Sequence, residues 1–193
     1  DELNHRVKNT LAAVQSISRQ SAKRAGSLES FRDLFESRLI ALSNTHNALT
    51  RTAWEHAGLR ELLGEQLSPY PADQLRLEGG DVALAPREAL SLGMVFHELA
   101  TNAAKYGALS VPGGMLEVSW CTGMGRRGLE LRLSWVETGG PPVVQPARRG
   151  FGSRMVQGSV VGELGGEAEL DFAPQGFRCR LSAPLATVVT DAA

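Results

Sequence analysis

The chain has 193 residues, 42% of them hydrophobic and 21% charged, and its formal net charge is −1 at pH 7. This composition is ordinary for a globular protein, and it excludes the strongly basic surface of a nucleic-acid-binding protein and the roughly 20-residue apolar run of a membrane-spanning helix. With only two cysteines, neither a disulfide framework nor a zinc site is expected, and the cytoplasm is the predicted location.

Two amphipathic helices are predicted in the N-terminal part, over residues 3–53. In each helix apolar residues recur at steps of three and four, which places them on one face. The two stripes consist of Leu3, Val7, Leu11, Val14 and Ile17, and of Leu28, Phe31, Leu34, Phe35, Leu39, Leu42 and Leu49. Gly26 and Ser27 separate the helices, and Ser27 is predicted to be the N-cap of the second.

A hairpin of two such helices cannot enclose its own apolar stripes. We therefore predict a homodimer, in which two hairpins form a four-helix bundle. A monomer that buries the hairpin against its own C-terminal part is the alternative. Because helical register begins at residue 1, the chain is also predicted to be a piece of a longer polypeptide.

Short strands and helices are predicted from residue 57 onward. In chain order they are a helix at 59–67, strands at 74–78 and 82–84, a long helix from Pro86 to Gly107, strands at 116–120 and 129–135 joined by a loop at 123–128, a Gly/Pro-rich loop at 138–152, a helix at 153–164, and strands at 167–172 and 177–183. The pattern predicts an α+β architecture, with helices on one side of a mixed, mostly antiparallel sheet.

The long helix has a polar row formed by Glu98, Asn102 and Lys105, apart from its apolar face. A carboxylate, a carboxamide and an ammonium group in one row can hold a hydrated divalent cation against phosphates. Magnesium usually takes only one or two protein oxygens, so the Asn102 carbonyl would suffice as a direct ligand. A solvated helix face crossed by Glu–Lys pairs is the structural alternative.

His5 lies off the apolar stripe of the first helix and is surrounded by polar and cationic residues, among them Arg6 and Lys8. These cations would offset the charge of an incoming phosphoryl group, which makes His5 a candidate phosphate acceptor. An ordinary surface histidine is the alternative. The other candidates, His46 and His56, are more simply packing or surface residues.

Two glycine-containing turns follow the strand at 129–135. Glu137 stands at the end of that strand, where its carboxylate can accept a hydrogen bond from an exocyclic amine such as that of adenine, and Gly139 and Gly140 follow. Gly150 and Gly152 precede a helix, whose N-terminal N–H groups favour an anion. Ordinary loops are the alternative for both turns.

In this order, the motifs strongly resemble those of bacterial sensor histidine kinases, most closely the HWE subfamily. The resemblance includes the stretch Leu3-Asn4-His5-Arg6-Val7-Lys8-Asn9-Thr10-Leu11, His97 in the asparagine box, and the Trp-x-Glu at Trp135 and Glu137. It implies a dimerisation and phosphotransfer hairpin at 1–56. An α/β sandwich ATP-binding domain of the Bergerat type would follow at 57–193.

The resemblance also implies residue roles on the helical side of the site. His5 would be the phosphoacceptor, Asn102 would hold Mg2+, Glu98 would be a polarising or basic catalytic group, and Lys105 would contact phosphate. Many histidine kinases place an acidic residue directly after the phosphoacceptor, where this chain has Arg6. The base that serves His5 therefore stays open between Glu98 and a residue in the first helix, Glu2.

On the strand side, Glu137 would stand where most relatives have an aspartate that recognises adenine. Gly139 and Gly140 would shape the pocket, and the loop that contains Gly150 and ends at Gly152 would form a lid over ATP. The resemblance does not decide whether the role of His97 is structural or chemical.

The sequence therefore predicts the core of a two-component histidine kinase that uses Mg2+ and ATP. Its partners would be a second copy of the chain and the receiver domain of a response regulator, with an upstream sensor domain outside this chain. The first alternative is a phosphotransfer adaptor whose ATP-like domain is not catalytic. The second is an ATPase or a serine kinase similar to anti-sigma factors.

Overall fold

The computed structural model of the protein describes residues 11, 14–15, 17–19, 21–22, 25–51, 55–143 and 151–186. The chain divides into two compact units, Asp1–Ser43 and Asn44–Ala193. The predicted boundary between functional domains, after residue 56, stays a prediction. Within the described ranges, no helix combines the length and apolar content needed to cross a membrane.

The N-terminal unit is helical, as the apolar stripes predict. Its described residues between 11 and 22 are helical, and helix α1 (Leu28–Arg51) follows the predicted break. The Ser30 N–H donates to Ser27 Oγ at 3.1 Å, which confirms Ser27 as the N-cap. Arg38 is buried, and its Nη1 donates to Ser21 Oγ at 3.3 Å, so a polar contact joins the two helical segments inside this unit.

The C-terminal unit contains a mixed sheet, as predicted. Its described strands are β1 (Ala57–Gly58), β2 (Leu75–Gly79), β3 (Ala83–Leu84), β4 (Met115–Gly125), β5 (Gly128–Thr138), β6 (Glu167–Ala173) and β7 (Gly176–Pro184). Over the described residues the main sheet has the order β2-β4-β5-β7-β6. The β2–β4 pair is parallel and the other pairs are antiparallel.

Helices cover one face of this sheet. They are α2 (Leu59–Leu67), α3 (Pro86–Tyr106) and α4 (Phe151–Gln157), the last of which continues into a π-helical turn, Gly158–Glu163. Apolar side chains of α2, α3, β4, β5 and β7 form one core. Its fully buried members include Leu62, Leu63, Leu92, Phe96, Leu116, Val118, Leu131 and Trp135. The α+β layer architecture is therefore confirmed, because alternate residues on each central strand are buried against the helices.

The β4–β5 hairpin is tighter than predicted. The predicted loop at 123–128 is wrong, because pairing continues to Gly125 and Gly128 and leaves only Arg126 and Arg127 as the turn. Gly128 adopts a positive φ of 108° directly after this turn, whereas Gly123 lies within the extended strand.

Two other segments differ from the predicted pattern. The strand at 82–84 shortens to β3 and pairs with β1 in a separate two-stranded sheet. The helix predicted at 153–164 begins earlier and changes its winding at Gly158, after which the Leu164 N–H donates to the Ser159 carbonyl at 3.1 Å. This five-residue spacing is that of a π-helix, which an amphipathic period of 3.6 residues does not predict.

Candidate functional site

Helix α3 is fixed at its N-terminus by a buried carboxylate. Glu88 Oε2 accepts a hydrogen bond from the Ala85 N–H at 2.8 Å, which satisfies a donor at the start of the helix. Glu88 Oε1 accepts another from the Ala186 N–H at 2.5 Å, beyond the end of β7. Glu88 therefore anchors the start of α3, the helix that contains the predicted polar row, to the segment that follows β7.

The polar row on α3 faces a glycine of α4. Glu98 is buried, Asn102 is half-buried, and Lys105 is exposed. A Cβ added to Gly152 would lie 2.7 Å from Asn102 Nδ2 and 3.7 Å from Glu98 Oε2. The fold therefore brings Glu98, Asn102 and Gly152 together from two segments of the chain; this group is called the helix face below.

The chemistry of the helix face suits a magnesium–phosphate complex. In the part of the chain that the structure describes, no group of three or more His, Cys, Asp or Glu side chains could hold a metal ion. Magnesium that is bound with phosphates needs only one or two protein oxygens and keeps several waters. The Asn102 side-chain carbonyl can supply such an oxygen, the Glu98 carboxylate lies one turn away, and Gly152 keeps the space beside them free of a side chain.

A second polar row on α3 lies next to the first and points towards α2. The His97 ring Nδ1 lies 3.2 Å from Oε1 of the buried Gln66, and the side chains of Thr101 and Tyr70 are hydrogen-bonded. His97 and Thr101 directly precede Glu98 and Asn102 in the sequence. Contacts along the 97/101 row therefore fix the rotation of α3 that presents the 98/102 row to Gly152.

His97 favours its neutral form in the folded protein. Burial lowers the pKa of its imidazole, and the positive charge of Lys105 lowers it further. A neutral imidazole can donate from Nδ1 to the Gln66 side-chain oxygen. The structure thus gives His97 a polar contact that joins α3 to α2. Local sequence spacing does not reveal this contact, because Gln66 lies 31 residues away from His97.

Glu137 lies in a buried corner at the end of β5 and is only 3% exposed. Its Oε1 accepts a hydrogen bond from the Trp135 indole N–H at 3.1 Å, and its Oε2 accepts one from the Ala108 N–H at 3.0 Å. Burial raises the pKa of the carboxyl group, and the hydrogen bonds from Ala108 and Trp135 act in the opposite direction. Trp135, Glu137, Ala108 and the neighbouring Gly107 are called the buried corner below.

Glycines allow this close approach. A Cβ on Gly107 would collide with Glu137 Oε2, and a Cβ on Gly140 would lie 2.8 Å from the Ala108 nitrogen. Gly139 adopts a positive φ of 70°, as a tight turn requires. The predicted glycine pair therefore packs the end of β5 against the end of α3. Gly107 and Ala108 are site residues that were not predicted, although a glycine directly after a helix is a visible signal of a helix end.

The helix face and the buried corner are next to each other along the chain. Asn102 lies on the last turns of α3, and Gly107 and Ala108 follow directly after the helix ends at Tyr106, with Ala108–Ser110 forming a short 3-10 turn. The candidate site therefore offers metal-binding oxygens near one end and a buried acceptor carboxylate near the other. Two predicted site residues, His5 and Gly150, lie outside the described residues.

Comparison with known proteins identifies relatives over nearly the whole chain. Residues 2–81 match the family described as HWE histidine kinase. A blue-light-activated histidine kinase of Brucella anthropi is 37% identical over 188 residues, which is 95% of this chain and 38% of that protein. The chain thus spans little more than a third of the length of this relative.

Solved structures agree on the fold. The histidine kinase domain of the Erythrobacter litoralis blue-light activated histidine kinase superposes with a TM-score of 0.63 at 19% identity, over 96% of this chain and 95% of that domain. The catalytic domain of the histidine kinase ThkA superposes with a TM-score of 0.52 at 15% identity, over 67% of this chain and 95% of that domain. The family match and the Brucella relative identify the chain as related to the HWE histidine kinases, and the superpositions show its fold.

Proposed function

We propose that this chain is the catalytic core of an ATP-dependent protein-histidine kinase. The observation that supports this most directly is the helix face, where Gly152 packs against Asn102 and Glu98. These residues come from two motifs that are 50 positions apart, and a decayed nucleotide site would have no reason to keep them in contact. The family match and the Brucella relative support the same reaction class. Because ATP is the phosphoryl donor, we expect the chain to act in the cytoplasm.

In this proposal the helix face holds the phosphate end of the nucleotide. The Asn102 side-chain carbonyl would be the protein ligand of Mg2+, with Glu98 beside it as a polarising or basic group. The bound ion supplies charge neutralisation on the phosphate oxygens. Lys105, exposed on the next turn of α3, would contact a phosphate, and the segment that contains Gly150 and Gly152 would cover it.

The buried corner would hold the other end of the nucleotide. The Glu137 carboxylate would accept a hydrogen bond from the adenine amino group. Gly139 and Gly140 would shape the pocket beside it, because they let the chain turn tightly against the end of α3. This assignment places recognition of the phosphates on α3 and recognition of the base at the segment that directly follows it.

His5 would accept the γ-phosphoryl group. A ring nitrogen of the neutral imidazole forms the new N–P bond while the bond from phosphorus to the β–γ bridging oxygen breaks and ADP leaves. Glu98 and Glu2 stay the candidate bases for the ring proton, and Arg6 and Lys8 would offset the incoming charge. The phosphoryl group would then pass to an aspartate of a receiver domain, on a homodimer formed through the hairpin.

Radiolabelled ATP tests this proposal. The parent chain, His5→Ala, Asn102→Ala and the control His56→Ala would be incubated with Mg2+ and γ-labelled ATP. We expect acid-labile, base-stable label on the parent and on His56→Ala, and none on the other two variants. Label that persists on His5→Ala would overturn the phosphoacceptor assignment. A parent that neither binds ATP nor becomes labelled would favour the phosphotransfer adaptor.

A further inference from the structure

Trp135 makes a contact that the proposed function does not yet use. Its side chain is fully buried, and its indole N–H donates to Glu137 Oε1 at 3.1 Å. The two residues are separated by one position on β5, so both side chains leave the same face of the strand. The Trp-x-Glu spacing thus places the indole N–H of Trp135 within hydrogen-bonding distance of the Glu137 carboxylate on the same face of the strand.

Two donors hold the carboxylate from opposite oxygens. Trp135 occupies one lone pair of Oε1, and the Ala108 N–H, at 3.0 Å, occupies one lone pair of Oε2. An ionised carboxylate has about four acceptor positions, so about two remain for a ligand. Since Gly107, which directly follows α3, lacks a side chain, it does not cover Oε2 any further. The remaining positions can accept hydrogen bonds but cannot donate them.

The Trp135 donor also bears on the chemical form of Glu137. Burial alone raises the pKa of this carboxyl group, and the hydrogen bonds from Ala108 and Trp135 lower it again. A protonated carboxyl group can donate a hydrogen bond, and a purine with a 6-oxo group requires a donor at that position. A purine with a 6-amino group requires an acceptor. Loss of one of the two donors therefore weakens the acceptor character of the site.

We propose that Trp135 is a specificity-determining positioning residue, whose indole N–H aims the Glu137 carboxylate so that the site selects a 6-aminopurine over a 6-oxopurine. This inference rests on the proposed nucleotide site. Trp135 acts through Glu137 and does not itself touch the base. Removal of the Trp135 indole N–H should therefore change the preference between the two bases, which a general loss of packing would not do.

The chain contains a matched control for this tryptophan. Trp120 lies on β4, belongs to the same core, and donates its indole N–H to the Gly80 carbonyl at 2.8 Å. Trp120→Phe therefore removes the same ring and the same type of hydrogen bond, but away from Glu137. Trp135→Leu supplies a second test, because it removes the indole N–H while it leaves Glu137 in place.

The experiment measures equilibrium binding of ATP and of inosine triphosphate, in the presence of Mg2+, to the parent chain and to each variant. These nucleotides differ at position 6 of the purine, which has an amino group in ATP and an oxo group in ITP, and at the adjacent N1, which has a proton only in ITP. In the parent we expect tighter binding of ATP. Trp135→Phe and Trp135→Leu should each lower the ATP/ITP affinity ratio by about tenfold, the order of one hydrogen bond, and Trp120→Phe should leave the ratio unchanged. In a Glu137→Gln background, Trp135→Phe should change the ratio no further.

Three results would overturn the inference: an unchanged ratio in Trp135→Phe or in Trp135→Leu, an equal fall in Trp120→Phe, or a parent without preference between the nucleotides. If Trp135→Phe does not fold by circular dichroism, Trp135→Leu decides between support and rejection. A parent that binds neither nucleotide would instead overturn the proposed nucleotide site, and the inference with it. Failure of the inference and failure of the proposed function are therefore distinguishable.

Discussion

At the buried corner, Glu137 is 3% exposed and both of its carboxylate oxygens accept hydrogen bonds, whereas at the helix face the half-buried Asn102 lies against a glycine of α4. The first arrangement is determined by the fold itself. The second contains the flexible end of a side chain that can adapt to an ion and its waters. A nucleotide site of this kind would combine a preorganised end that selects the base with an adaptable end that admits the phosphates.

Substitution of Gly107 tests the rigidity of the buried corner and should have the largest effect. In Gly107→Ala the new Cβ collides with Glu137 Oε2, which its two hydrogen bonds prevent from moving away. The φ of −113° is accessible to alanine, so the cost is steric. We expect the free energy of unfolding to fall by about 3 kcal/mol, measured by urea denaturation.

Gly64→Ala is the control for this substitution. Gly64 lies in α2, where an added Cβ meets nothing within 4 Å, so alanine should be neutral or stabilise the helix by up to about 1 kcal/mol. Equal stability of the two variants would contradict a rigid buried corner.

Substitution of Gly152 tests the helix face and should act on binding instead of stability. In Gly152→Ala the new Cβ displaces the Asn102 amide, which is the end of a flexible side chain, so the fold tolerates it. We expect Mg-ATP affinity to fall by about tenfold, which is about 1.4 kcal/mol, while the free energy of unfolding is unchanged or slightly higher. Gly158→Ala, which adds a Cβ in open space, should bind Mg-ATP as the parent does. A loss of stability without a loss of affinity would count against the assigned role.

His97, on the face of α3 that points towards α2, should make the free energy of unfolding depend on pH. Burial and Lys105 lower the pKa of His97 below 6.5, so the folded chain binds fewer protons at this position than the unfolded chain. The stabilisation is complete above about pH 6.5 and is lost as the pH falls towards the lower pKa of the folded state.

Comparison with His97→Gln, which keeps a polar contact without titrating, isolates this effect. As the pH falls from about 7.5 to about 5, the unfolding free energy of the parent should fall relative to that of the variant. Thermal or urea unfolding at several pH values measures the difference. Parallel stability curves would show that His97 does not titrate as its burial requires.

The smallest effect is expected at the exposed Lys105. Lys105→Gln should change the free energy of unfolding by less than about 0.5 kcal/mol, because substitutions of exposed side chains are usually close to neutral. If its ammonium group contacts a phosphate, Mg-ATP affinity should fall by a few-fold, and raising the salt concentration should reduce the difference between parent and variant. An affinity difference that does not depend on salt would argue against a charge contact.

The sequence predicted features that depend on local spacing. The apolar stripes predicted α1, the alternation in β4 and β5 predicted the hairpin, and Pro86 marked the start of α3. The polar row Glu98–Asn102 was visible for the same reason, since four residues make about one helical turn. The ordered motifs also predicted the family, because several independent residue patterns agreed along the whole chain.

Features that depend on distant contacts were beyond local patterns. The packing of Gly152 on Asn102 and the approach of Gln66 to His97 join segments that are 50 and 31 positions apart. The two-residue strands β1 and β3 are too short to show a period, and the π-helical turn departs from the 3.6-residue repeat. The Trp135–Glu137 hydrogen bond could have been anticipated from their spacing, but its donor direction needed the folded strand.

A crystal structure of the chain with Mg2+ and a non-hydrolysable ATP analogue tests most directly whether the buried corner and the helix face bind one nucleotide. We predict that the adenine amino group donates to Glu137 and that Mg2+ is coordinated by the Asn102 side-chain oxygen, with the ligand along α3 and the segment that directly follows it. The Trp135 and Ala108 hydrogen bonds to Glu137 should stay in place. An analogue bound elsewhere, or a base that does not contact Glu137 while the metal is distant from Asn102, would contradict the account.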